Sequence, residues 1–570
     1  MSLDILGGHK AWFVKKENIG LILGPLLFIA IILIPAPQSM AKAASDKSLP
    51  AFAPQLALGT MIWMVVWWVT ECAPLGITGL IAPLVFVISG ILTIQNAVQN
   101  FADPIIWIFI AGFVLAAAFQ RSGLDTRIAY SLALLYRGSN PRIATFFVAC
   151  LPVFLLTMTG SITASTTIVF PFLVAFMNIL NIPVRSNDGR NKGGTDDDND
   201  AVDASLTSGS LPSSRGEYKQ QKRSNYAEAS FLSLGQAASA GAMLLLISTA
   251  PNLIAKATVE EFVSAEGGQT ISFTDWFVIG TPHAIMGLLV SWFIIFLMIK
   301  PEIKSLPATR SQFKARLKSM GKMQRQEKAV LAILIAAMFL WTVPSLLRSS
   351  SEASASLAGD SGSVFSNLVA AFAKNMTEAV PALMIIVAVA LVRVGRNRPP
   401  LLKWEEMTKA VDWNIVLLFG GGLALGMGIE ASGLADWIGL QLSSSSLIAG
   451  DPAAAAANNN VPWIVFAISA IMAFAISYAA SNTASAVITC PIAATLAIGA
   501  GVNPVPPIIA AGLACSISTA IPSTTPPMAI IYSSRAVRIS GMLKTGIVSD
   551  FVRLVLLILL GPPLISLVTR

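Results

Sequence analysis

Charge is scarce in this chain. Of 570 residues, 12% are Asp, Glu, Lys or Arg and 55% are hydrophobic, whereas an ordinary soluble domain carries about 25% charged residues. Mean hydropathy is +0.71. That excludes a string of water-soluble domains. Histidine occurs twice, as His9 and His283, and tyrosine six times. A metal centre or general-base chemistry therefore has little to draw on, and neither a cofactor nor enzymatic activity is expected. The four cysteines, Cys72, Cys150, Cys490 and Cys515, lie far apart in or beside apolar runs. Without a CxxC spacing they read as reduced packing residues. The net charge of +8 is no nucleic-acid signal and no nucleic-acid partner is expected, because the basic residues fall in short runs between apolar stretches, as topology signals do.

Long apolar runs are what the chain has instead. A spanning helix needs about 20 mostly apolar residues. Eleven stretches qualify, near 19–36, 54–72, 74–92, 105–121, 228–262, 274–299, 328–347, 364–395, 413–429, 505–535 and 547–568. Those at 228–262 and 505–535 are interrupted in the middle by polar residues and proline. Two more apolar regions, 143–182 and 461–500, are each broken by a Ser/Thr-rich knot and read as re-entrant hairpins. The first stretch is longer than the roughly 7–15 residues of a signal-peptide core, so it reads as a retained helix.

Loop charge sets the orientation. The loop at 300–327 carries Lys300, Lys304, Arg310, Lys314, Arg316, Lys318, Lys322 and Arg325, whereas 93–104 and 441–460 carry no Lys or Arg. One assignment satisfies every loop if both broken regions enter and leave on the same side. It places the N-terminus in the cytoplasm and the C-terminus outside, in a plasma or bacterial inner membrane. Residues 184–226, with Asp196-Asp197-Asp198-Asn199-Asp200, are too polar to build a core and read as a disordered cytoplasmic insertion.

The chain repeats itself. Thr70-Glu71-Cys72-Ala73-Pro74 matches Thr377-Glu378-Ala379-Val380-Pro381 at an offset of 307. Ser122-Gly123-Leu124 matches Ser432-Gly433-Leu434 at 310, and Ser161-Ile162-Thr163-Ala164-Ser165 matches Ser481-Asn482-Thr483-Ala484-Ser485 at 320. Ser248-Thr249-Ala250-Pro251 matches Thr524-Thr525-Pro526-Pro527 at 276, shortened by about the length of the insertion. Each repeat would hold five spans and one hairpin, and five is odd, so the second copy is inverted. The expected fold is thus an all-α polytopic membrane protein with about 11 transmembrane helices plus two re-entrant hairpins in two inverted-topology repeats. Residues 1–53 form a tail and first helix, 54–300 the first repeat, 301–327 a basic linker and 328–570 the second repeat.

Inverted repeats with broken helices mark transporters, with sites at the midplane where the breaks meet. Helix N-termini offer N–H groups to an anion. Unwound carbonyls and hydroxyls offer oxygen to sodium. The tips Ser161–Thr163 and Ser481–Thr483 read as one composite site, closed by the breaks at Ser248–Pro251 and Thr524–Pro527. Glu71 and Glu378, at equivalent helix starts, read as helix-dipole partners.

These residues resemble the divalent-anion/sodium symporter family, the sodium-coupled dicarboxylate, citrate and sulfate cotransporters. The marks are Trp67-Trp68-Val69-Thr70-Glu71-Cys72-Ala73-Pro74-Leu75, Phe419-Gly420-Gly421-Gly422-Leu423-Ala424-Leu425, Ser481-Asn482-Thr483 and Thr525-Pro526-Pro527. The resemblance implies a homodimer in the bilayer with an elevator-type motion. It implies Na+ as coupling ion and a small divalent anion, succinate or malate in type, as substrate. The implied substrate contacts are Ser161, Thr163, Thr249, Ser481, Asn482, Thr483, Thr525 and Pro526. One sodium would sit near Thr157, Ser161 and Ser248, the other near Ser477, Ala480, Asn482 and Thr524. The chain departs from the pattern in three places. Ile162 stands where the first tip has Asn, Ala250 where the first break has its first Pro, and Met528 where the second has Asn. Ile162 can give neither a donor to a carboxylate nor an oxygen to sodium. A sulfate-type symporter and a sodium-independent anion exchanger therefore stand as alternatives. A membrane enzyme or receptor would need convergent acidic or His residues, or a folded signalling domain, that the sequence does not display.

Overall fold

In lipid, every backbone N–H and C=O must find a partner within its own element, so apolar runs fold as helices. In the computed structural model, residues 16–182, 184, 224–264, 271–307, 310–355, 367, 371–373, 375–395, 398–443 and 460–568 are described. Among them there is no strand, and ten helices are long and apolar enough to cross a membrane. The count is eleven if the pair Asn18–Leu33 and Gln38–Asp46, bent by 90°, is one span. The protein is all-α and integral to the membrane.

The number of long apolar helices is close to the eleven spans expected, but their membership differs. The four arms of the two knotted regions each reach 18 residues or more. The stretch at 74–92 is only Leu75–Gly79 and Ile81–Ile88. Pro83 cannot donate to the Gly79 carbonyl four residues earlier, and the helix parts there. The stretch at 364–395 begins partly outside the described residues, and its described helix is Ala379–Leu391. Pro381 likewise cannot bond back to Thr377. Residues 185–223 of the polar insertion lie outside the described residues. The insertion ends before Ser224, which caps the helix Asn225–Gly241 by accepting from the Ala227 N–H at 3.1 Å. Glu71 is no helix start. It ends the helix Ala53–Thr70 in the left-handed region at φ 52°.

Local geometry recurs at matched positions. Gly123 and Gly433 sit at φ 74° and 81°, each ending a long helix, Pro104–Ser122 or Trp413–Ala431, and opening a short one, Leu124–Ala133 or Leu434–Ser443. Before each glycine a serine hydroxyl bonds back to its own helix, Ser122 to Phe119 O at 2.9 Å and Ser432 to Ile429 O at 3.0 Å. Asp103 and Asp412 cap the two long helices, accepting from Ile105 N and Asn414 N at 2.8 and 3.1 Å.

The run Gly420-Gly421-Gly422 lets Trp413–Ala431 approach three neighbours at once. A Cβ on Gly420 would strike the Phe101 ring, on Gly421 the Gly79 carbonyl, and on Gly422 the Val487 side chain. This close packing fixes the second hairpin, which carries Val487, against the body of the protein.

Candidate functional site

Each knot is a helix–break–helix hairpin whose arms pack on each other. In the second, Asn460–Ala479 stops and Ser481 caps Asn482–Gly499 by accepting from Ala484 N at 3.3 Å. In the first, residues 141–159 run helically to the tip. Ser161 then caps Ile162–Ile179, accepting from Ala164 N at 3.1 Å. Gly160 makes the first turn possible. It sits at φ 100°, and a Cβ there would lie 2.8 Å from the Cα of Gly112.

The interrupted helices also break where the sequence places polar residues. The first runs Asn225–Gly241, unwinds, and resumes as Ala250–Ser264. The second runs Val505–Cys515 and resumes as Pro526–Ser533. Both restarts follow an extended threonine, Thr249 at φ −155°, ψ 157° and Thr525 at φ −153°, ψ 144°. Packing then crosses between the halves. The outgoing arm Ile162–Ile179 lies on Pro526–Ser533, and its counterpart Asn482–Gly499 lies on Ala250–Ser264.

At the second tip this arrangement gathers oxygen. The Ser477 hydroxyl lies 3.0 Å from Asn482 Oδ1, 2.8 Å from the Cys515 carbonyl and 2.5 Å from the Ser518 hydroxyl. Ser518 Oγ lies 3.2 Å from Asn482 Oδ1 and 3.3 Å from the Ser477 carbonyl. All four residues are buried. Each serine hydroxyl has one proton to donate, so two protons face five close oxygen–oxygen contacts. Lone pairs crowded in this way are what a hard cation relieves, since it binds oxygen without needing a proton between. Thr524 closes the cluster from the break, its carbonyl 3.4 Å from Asn482 N. Ala480 is buried two residues before Asn482. Of the residues expected at this sodium site, Ser477, Asn482 and Thr524 come together. Ser518 and the Cys515 carbonyl were missed, because a serine in an unwound segment gives no signal of which hydroxyl it will meet.

The first tip is poorer. Thr157 donates to the Phe154 and Gly241 carbonyls at 2.7 and 2.9 Å. Where the second tip has Asn482 it has Ile162, and where the second break has Ser518, the 276-residue offset brings Ala242. Ser248 is buried, its hydroxyl accepting from Leu245 N at 3.3 Å. Two carbonyls freed by this break, Ala242 and Leu245, are held by the Asn252 carboxamide at 2.7 and 2.9 Å. Met528 holds the matching position in the second break and has no such donor. At the first site Asn252 occupies two freed carbonyls and crowding is confined to Thr157, whose one proton faces two carbonyls; the second crowds two hydroxyls and a carboxamide oxygen.

The substrate candidates divide by access. Thr163 and Pro526 are exposed, Ser161, Thr249, Ser481 and Thr483 half-buried, and Asn482 and Thr525 buried. Glu378 accepts from Phe273 N at 3.3 Å and so caps the neighbouring helix Phe273–Met298.

Comparison with known proteins gives a consistent result. Residues 15–567 match the family described as the sodium:sulfate symporter transmembrane region. A sodium-dependent dicarboxylate transporter, SdcS, of Staphylococcus saprophyticus is 28% identical over 566 residues, covering 97% of this chain and 94% of the relative. SdcS of Staphylococcus aureus strain NCTC 8325 is 28% identical over 551 residues, covering 96% and 91%. Among solved structures, MtrF of Neisseria gonorrhoeae, from a class of antimetabolite efflux pumps, matches with a TM-score of 0.46 at 14% identity, covering 84% of this chain and 83% of that one. A likeness so slight carries no weight.

Proposed function

This chain belongs to the sodium:sulfate symporter family, and from that premise we propose that it is a sodium-coupled symporter of a small dicarboxylate of the succinate or malate type. The observation that carries the reading is the proton-poor oxygen cluster of Ser477, Asn482, Ser518 and the Cys515 carbonyl. It offers a dehydrated sodium ion several neutral oxygens at the base of a helix N-terminus. The same N-terminus, through the Ser481–Thr483 tip, offers a carboxylate the positive end of its dipole and the Ser481 and Thr483 hydroxyls. The Ser161–Thr163 tip offers the same to the second carboxylate, with Thr249, Thr525 and Pro526 flanking. The relatives named as sodium-dependent dicarboxylate transporters point the same way.

Only the second sodium site is well furnished. Sodium dependence of uptake should therefore be shallow, with a Hill slope of roughly 1, since that slope is bounded by the number of coupled sites. Ile162→Asn restores a side-chain oxygen at the first tip. It is expected to steepen the slope toward about 2 and lower the sodium concentration needed for half-maximal uptake. An unchanged sodium curve would mean that the Asn252-held carbonyls, not Ile162, silence the first site.

The deciding measurement is uptake of labelled succinate into proteoliposomes under an inward sodium gradient, with potassium replacing sodium in the control. Sodium-driven accumulation supports symport. Uptake indifferent to sodium but requiring internal succinate means exchange. No succinate uptake, with sodium-driven sulfate uptake instead, means the smaller oxyanion, which Ile162 favours by removing one carboxamide from the first tip.

The proposal extends to two inverted repeats, with both hairpins re-entrant and the N-terminus cytoplasmic. It extends also to a homodimer moving by an elevator-type mechanism, which the matched local geometry and the family support. In nanodiscs a protein mass of twice 60.1 kDa would support the dimer. A single copy that still transports would overturn it.

A further inference from the structure

The long C-terminal helix Ile539–Ser566 carries an acid and a base inside an apolar run. Asp550 and Arg553 lie one turn apart and are both buried. Charged groups at such depth are costly and mark function by default. Their hydrogen bonds do not go chiefly to each other; the closest approach of the pair is 3.8 Å. They go to the backs of the oxygen cluster.

Asp550 Oδ2 accepts from the Thr519 N–H at 2.5 Å and from the Tyr478 hydroxyl at 2.7 Å. Its Oδ1 accepts from the Thr519 hydroxyl at 2.7 Å. Arg553 donates to the Ile517 carbonyl at 3.3 Å. Tyr478 follows Ser477, while Ile517 and Thr519 bracket Ser518. One helix turn therefore grips the residues on either side of one hydroxyl and the residue beside the other. Neighbouring glycines make the grip possible. A Cβ on Gly546 would strike the backbone of Ala520, and one on Gly287 would come within 3.0 Å of the Arg553 Nε.

We infer that Asp550, balanced by Arg553, is a positioning residue for the cation site, holding the Ser477 and Ser518 hydroxyls at their spacing from behind. The inference rests on the reading of that cluster as the sodium site. Unwound backbone has no helical ladder of its own to fix it, so the spacing of Ser518 must be imposed from outside. A carboxylate suits the task because it accepts several bonds at once and donates none. In metal sites, partners behind the ligands typically account for about 10–100-fold in affinity.

The test is sodium titration of succinate uptake by the full-length protein in proteoliposomes. Asp550→Asn removes the charge that Arg553 faces and turns one acceptor oxygen into an NH2 group, set against the Thr519 hydroxyl in one orientation and against the Thr519 N–H and Tyr478 hydroxyl in the other. It is expected to raise the sodium concentration for half-maximal uptake by about tenfold or more. The half-saturation for succinate at saturating sodium should stay within about twofold, since the tips are untouched. Tyr478→Phe and Thr519→Val each remove one hydroxyl and keep both buried charges. Each is expected to shift sodium half-saturation by roughly threefold to tenfold, a fraction of the worth of one hydrogen bond to a charged acceptor, because the remaining bonds to Asp550 still hold the spacing. These two decide the matter if Asp550→Asn fails to fold. A merely structural role would lower the amount of active transporter without moving the sodium curve. If the unsubstituted protein takes up succinate with sodium and both hydroxyl variants keep its sodium curve, the positioning role is overturned and symport stands. If the unsubstituted protein ignores sodium, both fall together.

Discussion

Asn482→Ala should abolish sodium-driven uptake for practical purposes. Asn482 Oδ1 is the acceptor that the Ser477 and Ser518 hydroxyls share, at 3.0 and 3.2 Å. Its backbone N–H is also joined to the Thr524 carbonyl of the second break. Alanine keeps that backbone link and the Ser481 cap, so the tip should still fold. What it removes is the one oxygen common to the oxygen cluster and the Ser481–Thr483 tip. Losing a ligand to a charged species costs about 3 kcal/mol, roughly a hundredfold in half-saturation. Uptake with sodium retained to within about threefold of the parent would place the cation elsewhere and remove the main support for symport. The first tip gives the internal comparison. Ile162→Ala removes no oxygen and should leave the sodium curve in place.

Gly421→Ala should damage folding more than any other single-methyl addition along Trp413–Ala431. Its added carbon would collide with the Gly79 carbonyl, and neither that backbone nor its own helix can step aside. Overpacking a closed interior usually costs about 1–3 kcal/mol, and a backbone-to-backbone collision belongs at or above the upper end. Gly420→Ala meets the Phe101 ring, which can turn away, so it should be milder. Thermal inactivation in detergent, followed by the monodisperse fraction, orders the two. Equal midpoints would show that the helices separate freely there and that close approach is not what the glycine run provides.

The sequence made the knots and breaks legible because each is a polar word repeated in an apolar text. Ser161 and Ser481 turn out to be helix caps at those knots, and Thr249 and Thr525 stand extended at those breaks. The same reasoning overstretched 74–92, whose apolar helix runs only from 75 to 88 with a turn at Leu80, because hydropathy does not register that Pro83 leaves the Gly79 carbonyl without its donor. Short helices such as Gln38–Asp46 and Leu434–Ser443 are too brief to show a period against their surroundings. In the site, the identity of the second hydroxyl was hidden. Ser518 meets Ser477 across 41 residues only because the unwound segment is pulled into place by a helix further along. Asp550 and Arg553 could have been noticed, since an acid and a base three residues apart within an apolar run rarely stand there idly. Asn252 was legible as a residue but not as a donor, since its two carbonyl partners are freed only by a break whose exact edge the sequence does not mark.

The crossed packing of the two halves sets a timetable for synthesis. The outgoing arm of the first hairpin rests on Pro526–Ser533, which emerges roughly 350 residues later, about 20–70 s at ordinary translation speed. Through that interval the half-made protein must keep the polar tip of an apolar hairpin with its lasting neighbour unborn. The Ser161 cap and the bond from the Ser165 hydroxyl to the Ser161 carbonyl at 2.7 Å lie within the hairpin itself. The nascent tip can therefore quiet these groups unaided, and a ribosome paused between the halves should leave an inserted, protease-resistant first hairpin waiting for the second.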